Sequence, residues 1–426
     1  MPMFDTLAYG GEKTPVVFDI GTAYTKCGFS SECSPRKIVP STVKKAKTGE
    51  LVNIYDISDR EELYRLLIDF VHLLYFRHVL VPKERRVVIV ESVFTPTMFR
   101  ETLAGVLFKH YEVPSVVFVP AHLMALFTLG IPSGLVMDCG YKQTIVLPVY
   151  EGIPVLKACQ ALPFASKAVH NYLDAQLREH GIVRDSQGEE KPLSSVKDIV
   201  DENILEDIKV RCCFVTKLDR AQQIHAVSAG IKDAELPAPP PDVQYPLDGA
   251  NTLTIPGKIR EHTFEILFER DSEEQSVSTL LLDAIIQCPI DIRKTLAENI
   301  ILIGGTCMSV GFQHRILTEL YSLLNSPRYK NRLALKSFKF HHPPSKRNCV
   351  AWLGGAIFGI QEILSTRSIS RDQYTKNHCM LPDWCSLYDY EESDNHSAIL
   401  LKKEASKEVL PSVSKSPRSP VVAKKV

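Results

Sequence analysis

A surplus of charge of either sign is what this chain lacks: 50 basic residues stand against 50 acidic ones, a formal net charge of +0. Bulk electrostatic attraction to nucleic acid or to an anionic membrane is thereby excluded, and partners must be recognised by shape and local patches. No run approaches the ~20 apolar residues that span a bilayer, and the opening MPMFDTLAYGGEK is too short and too polar for a secretory signal. A cytosolic protein without membrane insertion is expected. The 11 cysteines, spread from Cys27 to Cys385, form no CxxC pair and no His/Cys cluster at metal-ligand spacing, so the reading is reduced core thiols.

What is there is one device used twice. FDIGTAYTKCGF (Phe18 to Phe29) and VMDCGYKQTIVLP (Val136 to Pro148) are each an apolar strand ending in an aspartate, with glycine two residues on and a returning strand behind it. Glycine lets backbone amides approach an anion and Asp can hold a hydrated cation, so two facing hairpins would clamp one nucleotide. The copies are unequal. The first keeps Gly21, Thr22, Ala23 and Lys26, whereas the second passes from Gly140 into bulky Tyr141 and Lys142. IILIGGTCMSVGF (Ile300 to Phe312) adds a buried strand ending in Gly304-Gly305, a turn against which a purine can lie.

Strands and helices alternate around these motifs, as in a doubly wound α/β protein with an internal duplication. A helix is expected from about Asp59, started by a Ser58–Glu61 capping box and carrying Leu63, Leu66, Leu67, Phe70 and Leu74 on one face. A strand is expected over Ile153 to Ala158 and a helix over Leu205 to Lys209. His180 to Val200 reads as a polar loop, and Leu236 to Asp248 as an exposed Pro-rich stretch. Residues 389–426 are rich in Ser, Lys, Glu and Pro and read as a disordered tail, in which Ser416 and Ser419 precede prolines and are candidate phosphorylation sites.

With these motifs in this order the chain resembles the actin superfamily over about Pro15 to Asp383. The specific stretches are KCGF, SPRKIVPS, GLVMDCG, PVYEG, EDIKVRCCFV, QCPIDIRKTLAENIILIGGT and AWLGGAIF. The resemblance implies an α/β, actin-like fold: two duplicated RNase H-like domains around a nucleotide cleft, with a truncated subdomain 2. It implies an outer domain (1–129 and 349–388) and an inner domain (130–348). It also implies ATP or ADP with Mg, held by Asp19, Gly21, Thr22, Ala23, Lys26, Asp138, Gly140, Lys209, Gly305, Thr306 and Met308, with Asp19 and Asp138 reaching the metal through water. The family's water-orienting Gln falls on Ala121, its later Asp-Gly on Tyr141-Lys142 and its His on Ile145, so no catalytic residue is assigned. Losing such groups typically costs 10²–10⁴-fold in rate, and hydrolysis is expected to be very slow or absent. A ribose-binding acid aligns with Val210 and a base-proximal lysine with Asn348. His122, one residue past Ala121, is rotated by ~100° along a helix and reads as structural.

Only 17 residues separate Ser41 from Asp59, where actin-like chains carry a long partner-binding loop. In the family that loop inserts into a groove on the neighbouring subunit, a heterologous contact that extends until one partner lacks half of it. The groove positions fall on Phe127, Ile357, Phe358 and Ile363. LLYFRHVLV (Leu73 to Val81), the short region after Ser41 and LPDWCSL are similar to the family members that cap the pointed end of the dynactin filament. That implies a cytoplasmic, cytoskeletal, non-homo-oligomeric subunit, whose partners are the actin-related filament subunits of dynactin and other pointed-end subunits. Two alternatives stay open on the residues: an active actin-fold ATPase rebuilt around His122 or Lys142, and a nuclear actin-related scaffold of a chromatin complex.

Overall fold

The computed structural model describes residues 13–46, 48–79, 85–196, 199–228, 238–377 and 381. The 389–426 tail with Ser416 and Ser419, most of LPDWCSL and the end of LLYFRHVLV lie outside the described residues.

The first sheet grows from the first hairpin. β1 (Val16–Ile20) and β2 (Tyr24–Phe29) are antiparallel with Asp19 opposite Lys26, and β3 (Lys37–Pro40) pairs with β2. β4 (Thr42–Lys44) and β5 (Leu51–Asn53) make a separate two-stranded ribbon before α1 (Arg60–Leu74). The expected Ser58 cap does not form. Asp59 has the extended backbone of a cap, and its carboxylate accepts the Glu62 amide at 2.7 Å, moving the helix start one residue on. β6 (Val87–Glu91), α2 (Thr97–Gly105), β7 (Ser115–Pro120) and α3 (Ala121–Phe127) follow, with β1, β6 and β7 parallel and wholly buried. Continuous apolar strands of this kind need cover on both faces.

The second sheet repeats the scheme around β8 (Gly134–Cys139) and β9 (Thr144–Tyr150), with Asp138 opposite Ile145. The strand expected over Ile153 to Ala158 is split. β10 (Ile153–Pro154) and β11 (Gln160–Leu162) both pair with β9, and a 3₁₀ turn at Leu156–Ala158 lies between them. α4 (Ser166–His180) leads into a third sheet. Its strands are β12 (Ile182–Arg184), β13 (Glu190–Pro192) and, after α5 (Glu202–Cys212) and α6 (Leu218–Ser228), β14 (Val243–Pro246) and β15 (Thr252–Ile255), in the order β13-β12-β15-β14. The His180 to Val200 segment is therefore not simply a loop, part of the Pro-rich stretch is a strand, and the helix expected over Leu205 to Lys209 is longer at both ends. α7 (Gly257–His262), α8 (Val277–Gln287) and α9 (Ile290–Ala297) precede β16 (Ile300–Ile303), which runs parallel to β8. α10 (Phe312–Leu324), α11 (Val350–Gly359), α12 (Ile363–Arg367), β17 (Ile369–Ser370) and α13 (Arg371–Lys376) complete the described chain, β17 returning to pair with β7.

The α3–α11 pair joins the two main sheets. On one side Met124, Ala351 and Trp352 pack with Val17, Val88 and Val90 of the first sheet. On the other, Leu126 and Val350 pack with Val136, Ile301 and Ile303 of the second. The strand ends carrying Asp19 and Asp138 are thus fixed by one shared helical layer. Among the described cysteines all but Cys33 are buried free thiols. Among the described residues no helix is long and apolar enough to cross a membrane, and no cluster of three His, Cys, Asp or Glu side chains could hold a metal.

Candidate functional site

The two hairpins close on the same hydrogen bond. Gly21 donates its amide to the Tyr24 carbonyl and Gly140 to that of Gln143, each at 3.2 Å. Among the described residues the amides of Thr22 and Ala23 in the first turn, and of Tyr141 and Lys142 in the second, have no hydrogen-bond partner. Pairs of adjacent free amides in a turn are what a phosphate oxygen requires.

Asp19, Lys26 and Asp138 come together between these turns. The Lys26 amine bonds Asp19 Oδ2 at 3.0 Å. Burial opposes the charge on Lys26, but Asp19 and then Asp138 outweigh it, so its pKa lies above the ordinary value. Asp138 is pushed up to about 6 by burial, with Lys26 pulling it down and Asp19 pushing it further up. The second hairpin has no counterpart of Lys26, since Ile145 occupies the position across from Asp138. Two carboxylates beside one amine, Asp19 bonded to it and Asp138 within its field, would bind a hydrated divalent cation, and the free amides would donate to its phosphate ligands. The phosphate end thus fits a nucleoside di- or triphosphate with Mg.

The glycine turn completes the floor. Gly304 sits at φ +93, and a Cβ there would lie 2.3 Å from the Cys139 carbonyl oxygen, so only glycine permits the approach of β16 to β8. Gly305 faces open space, Met308 is 45% exposed beside it, and Thr306 donates its hydroxyl to the Gly140 carbonyl at 2.8 Å. Arg347, which the sequence did not single out, braces this turn by donating to the Cys307 carbonyl at 2.5 Å and to Gln313. An open hollow of about 410 Å³ lined by Phe312, Gln313, His314 and Arg347, among others, lies past the turn, and no phosphate-turn residue lines it.

Lys209 lies in a neighbouring cluster. Its buried amine bonds Ser166 at 2.5 Å, Glu206 at 2.6 Å and His170 at 3.0 Å. His170 also bonds Glu202, which accepts the Tyr141 hydroxyl at 2.6 Å. Burial would raise Glu206, but His170 and Lys209 hold it down to about 2. Lys209, expected to contact nucleotide, is therefore engaged by Ser166, His170 and Glu206, and Val210 next to it on α5 is exposed. His122 is fully buried, and burial pushes its pKa down to about 4, so it is a neutral side chain packed near Ile145.

Asp138 carries a pH dependence. Its folded pKa lies above the unfolded value, so its favourable contribution is complete below about 4 and is lost as pH rises through about 6. Asp138→Asn is expected to stabilise the nucleotide-free protein at about pH 7.5 by on the order of 1–2 kcal/mol and much less at about pH 5. Melting curves of both proteins at the two pH values check this; equal shifts at both would contradict it.

The comparisons with known proteins agree with this geometry. The actin family model matches residues 58–381. A Dictyostelium discoideum protein named actin-related protein 10 is 28% identical over 439 residues, spanning 87% of this chain and 89% of that protein. Putative actin-29 of the same organism is 26% identical over 388 residues, spanning 84% and 93%. With the family model covering most of the chain, two Asp-Gly hairpins facing each other and a glycine turn beneath them, this protein belongs to the actin family.

Proposed function

We propose that this chain is a structural actin-related subunit at the pointed end of the dynactin filament, supporting dynein-based transport in the cytoplasm and using nucleotide as a staple. The observation that carries the reading is the ribbon of β4 and β5, three residues per strand, in the place where the family's projecting loop would be. A subunit that can receive a neighbour but offers no projection terminates a heterologous assembly. The receiving side is available: Phe127 is 40% and Ile363 45% exposed, Ile357 and Phe358 are half-buried, and the rings of Phe127 and Phe358 meet edge-on at 6.2 Å. Similarity to a protein named actin-related protein 10 supports membership among the actin-related proteins.

ATP or ADP with Mg would sit on the two turns, held by this chain's free amides, Lys26, Asp19 and Asp138. Bound nucleotide would tie the two sheets through its phosphates. Hydrolysis is not expected to exceed a trace, because the side chains of Ala121 and Ile145 have no polar atoms to orient water and His122 is fully buried.

Adding the purified protein to growing filaments of actin-related subunits tests the assembly reading. Growth should stop at the pointed end with one molecule bound per filament, and Phe127→Asp should lower that binding at least tenfold by placing a charge in an apolar contact. Incorporation along the filament interior would overturn the proposal.

A further inference from the structure

The short segment between β3 and α1 does more than leave a projection out. Four consecutive carbonyls of the first turn accept hydrogen bonds from it. The Tyr55 hydroxyl reaches Ile20 O at 2.7 Å, the Ser41 hydroxyl Gly21 O at 2.6 Å, the Asn53 amide group Thr22 O at 2.6 Å and the Ser41 backbone amide Ala23 O at 2.8 Å. The donors are themselves locked. Asn53 Oδ1 accepts the Tyr55 amide at 2.9 Å, the Ile54 amide bonds the Ser41 carbonyl at 3.1 Å, and the Tyr55 ring stacks on Phe99 at 4.3 Å.

In a planar trans peptide the carbonyl and the following amide point in opposite directions. Holding the Gly21 and Thr22 carbonyls against the segment therefore turns the amides of Thr22 and Ala23 to the other side, where they have no partner among the described residues. The second turn is held in the same way by different elements. Gly140 O accepts Thr306 Oγ1 at 2.8 Å and the Ser166 amide at 3.3 Å, and Tyr141 O accepts the Lys167 amide at 2.8 Å. Asp56, next in the segment after Tyr55, reaches across to Lys142 of that second turn at 2.5 Å.

We propose that Ser41, Asn53 and Tyr55 are positioning residues that preset the first turn for the phosphate chain of a nucleoside di- or triphosphate. The inference rests on the nucleotide reading above and deepens it: the segment that no longer projects serves as the fixed back wall of the phosphate clamp. A turn whose carbonyls are already committed does not have to reorient on binding, which is where preorganisation gains affinity.

The test uses the full chain with Tyr55→Phe, which removes the hydroxyl and keeps the stacked ring, and Asn53→Ala. Affinity for ATP and for inorganic tripolyphosphate is measured, together with hydrogen–deuterium exchange of the peptides covering 19–26 and the buried strands β6 and β7. Each variant should weaken both phosphate probes by roughly tenfold and speed exchange in 19–26 while the β6 and β7 peptides exchange as in the parent protein. Faster exchange across all three regions would mark a merely structural role and overturn the assignment, as would unchanged affinity. If the parent protein binds neither ATP nor tripolyphosphate, the nucleotide reading fails by itself. Exchange in 19–26 then decides the positioning role: a local increase in Asn53→Ala supports it, and a rate equal to the parent's overturns it.

Discussion

Replacing Arg315 by leucine is expected to cost about 3–5 kcal/mol, because it strands charges that the fold has taken out of water. The guanidinium makes two 2.9 Å bonds to the two oxygens of Glu265, a third of 2.9 Å to Glu319 and a fourth of 2.8 Å to the Thr216 carbonyl. The side chains of Arg315 and Glu265 are 4% and 2% exposed. Burial raises the Glu265 pKa above the ordinary carboxylate range even with Arg315 beside it. Without Arg315 it must rise further. A raised folded pKa means that the penalty grows as pH rises, so the deficit of Arg315→Leu should be largest at about pH 8 and shrink at about pH 5 as Glu265 takes up a proton. Adding Glu265→Leu should recover part of the loss, since an apolar pair of similar volume can replace a buried ion pair. Urea midpoints of the single and double variants at both pH values check this, and a deficit independent of pH would contradict it. The exposed Glu61–Arg65 pair on α1, 83% and 70% exposed, should by contrast contribute at most about 1 kcal/mol.

The same contrast between local pattern and long-range partner sets what the sequence could reveal. Both hairpins and the glycine turn were legible because each is a buried apolar run ending in a residue with a stereochemical role, Asp19, Asp138 or Gly304. The third sheet was not. Its strands are three or four residues long, and β12 buries only Val183, so no alternation could build up before the chain turned. Ser58 and Asp59 are both good caps, and only the backbone at Asp59 decides between them.

The candidate site divides along the same line. Lys26 faces Asp19 because a hairpin register fixes it, and the sequence spacing carries that register. Lys209 is different, because its partners Ser166 and His170 arrive from another helix. A partial signal was present: Glu202, Glu206 and Lys209 recur at helical spacing on one face of α5, which marks an ion-pair ladder before any fold is known. No comparable pattern announced the supports of the first turn, since Ser41, Asn53 and Tyr55 are ordinary residues of a short excursion. Their role exists only where Ile20 to Ala23 pass beneath them.

Gly354→Ala is expected to be the other large effect, with destabilisation of about 3 kcal/mol or more. An alanine in mid-helix would ordinarily gain about 1 kcal/mol over glycine. Here the added Cβ would lie 2.0 Å from the Met124 carbonyl oxygen, an obstacle of backbone that cannot rotate away. Gly355 is similarly close to Val90 Cγ2, at 2.5 Å, so α11 cannot relieve the overlap by rolling towards the first sheet. The helix must lift from α3. That movement would carry Phe358 away from Phe127 and widen the groove proposed to receive the neighbouring subunit. Stability and filament-end binding should therefore fall together in Gly354→Ala. Gly305→Ala, with φ −66 and nothing within 4 Å of the added carbon, should leave both unchanged. Melting temperature and end binding measured on the two variants separate the cases. If Gly354→Ala were as stable as the parent, α11 and α3 could not be in the close contact that fixes both the groove and the two aspartate-bearing strands.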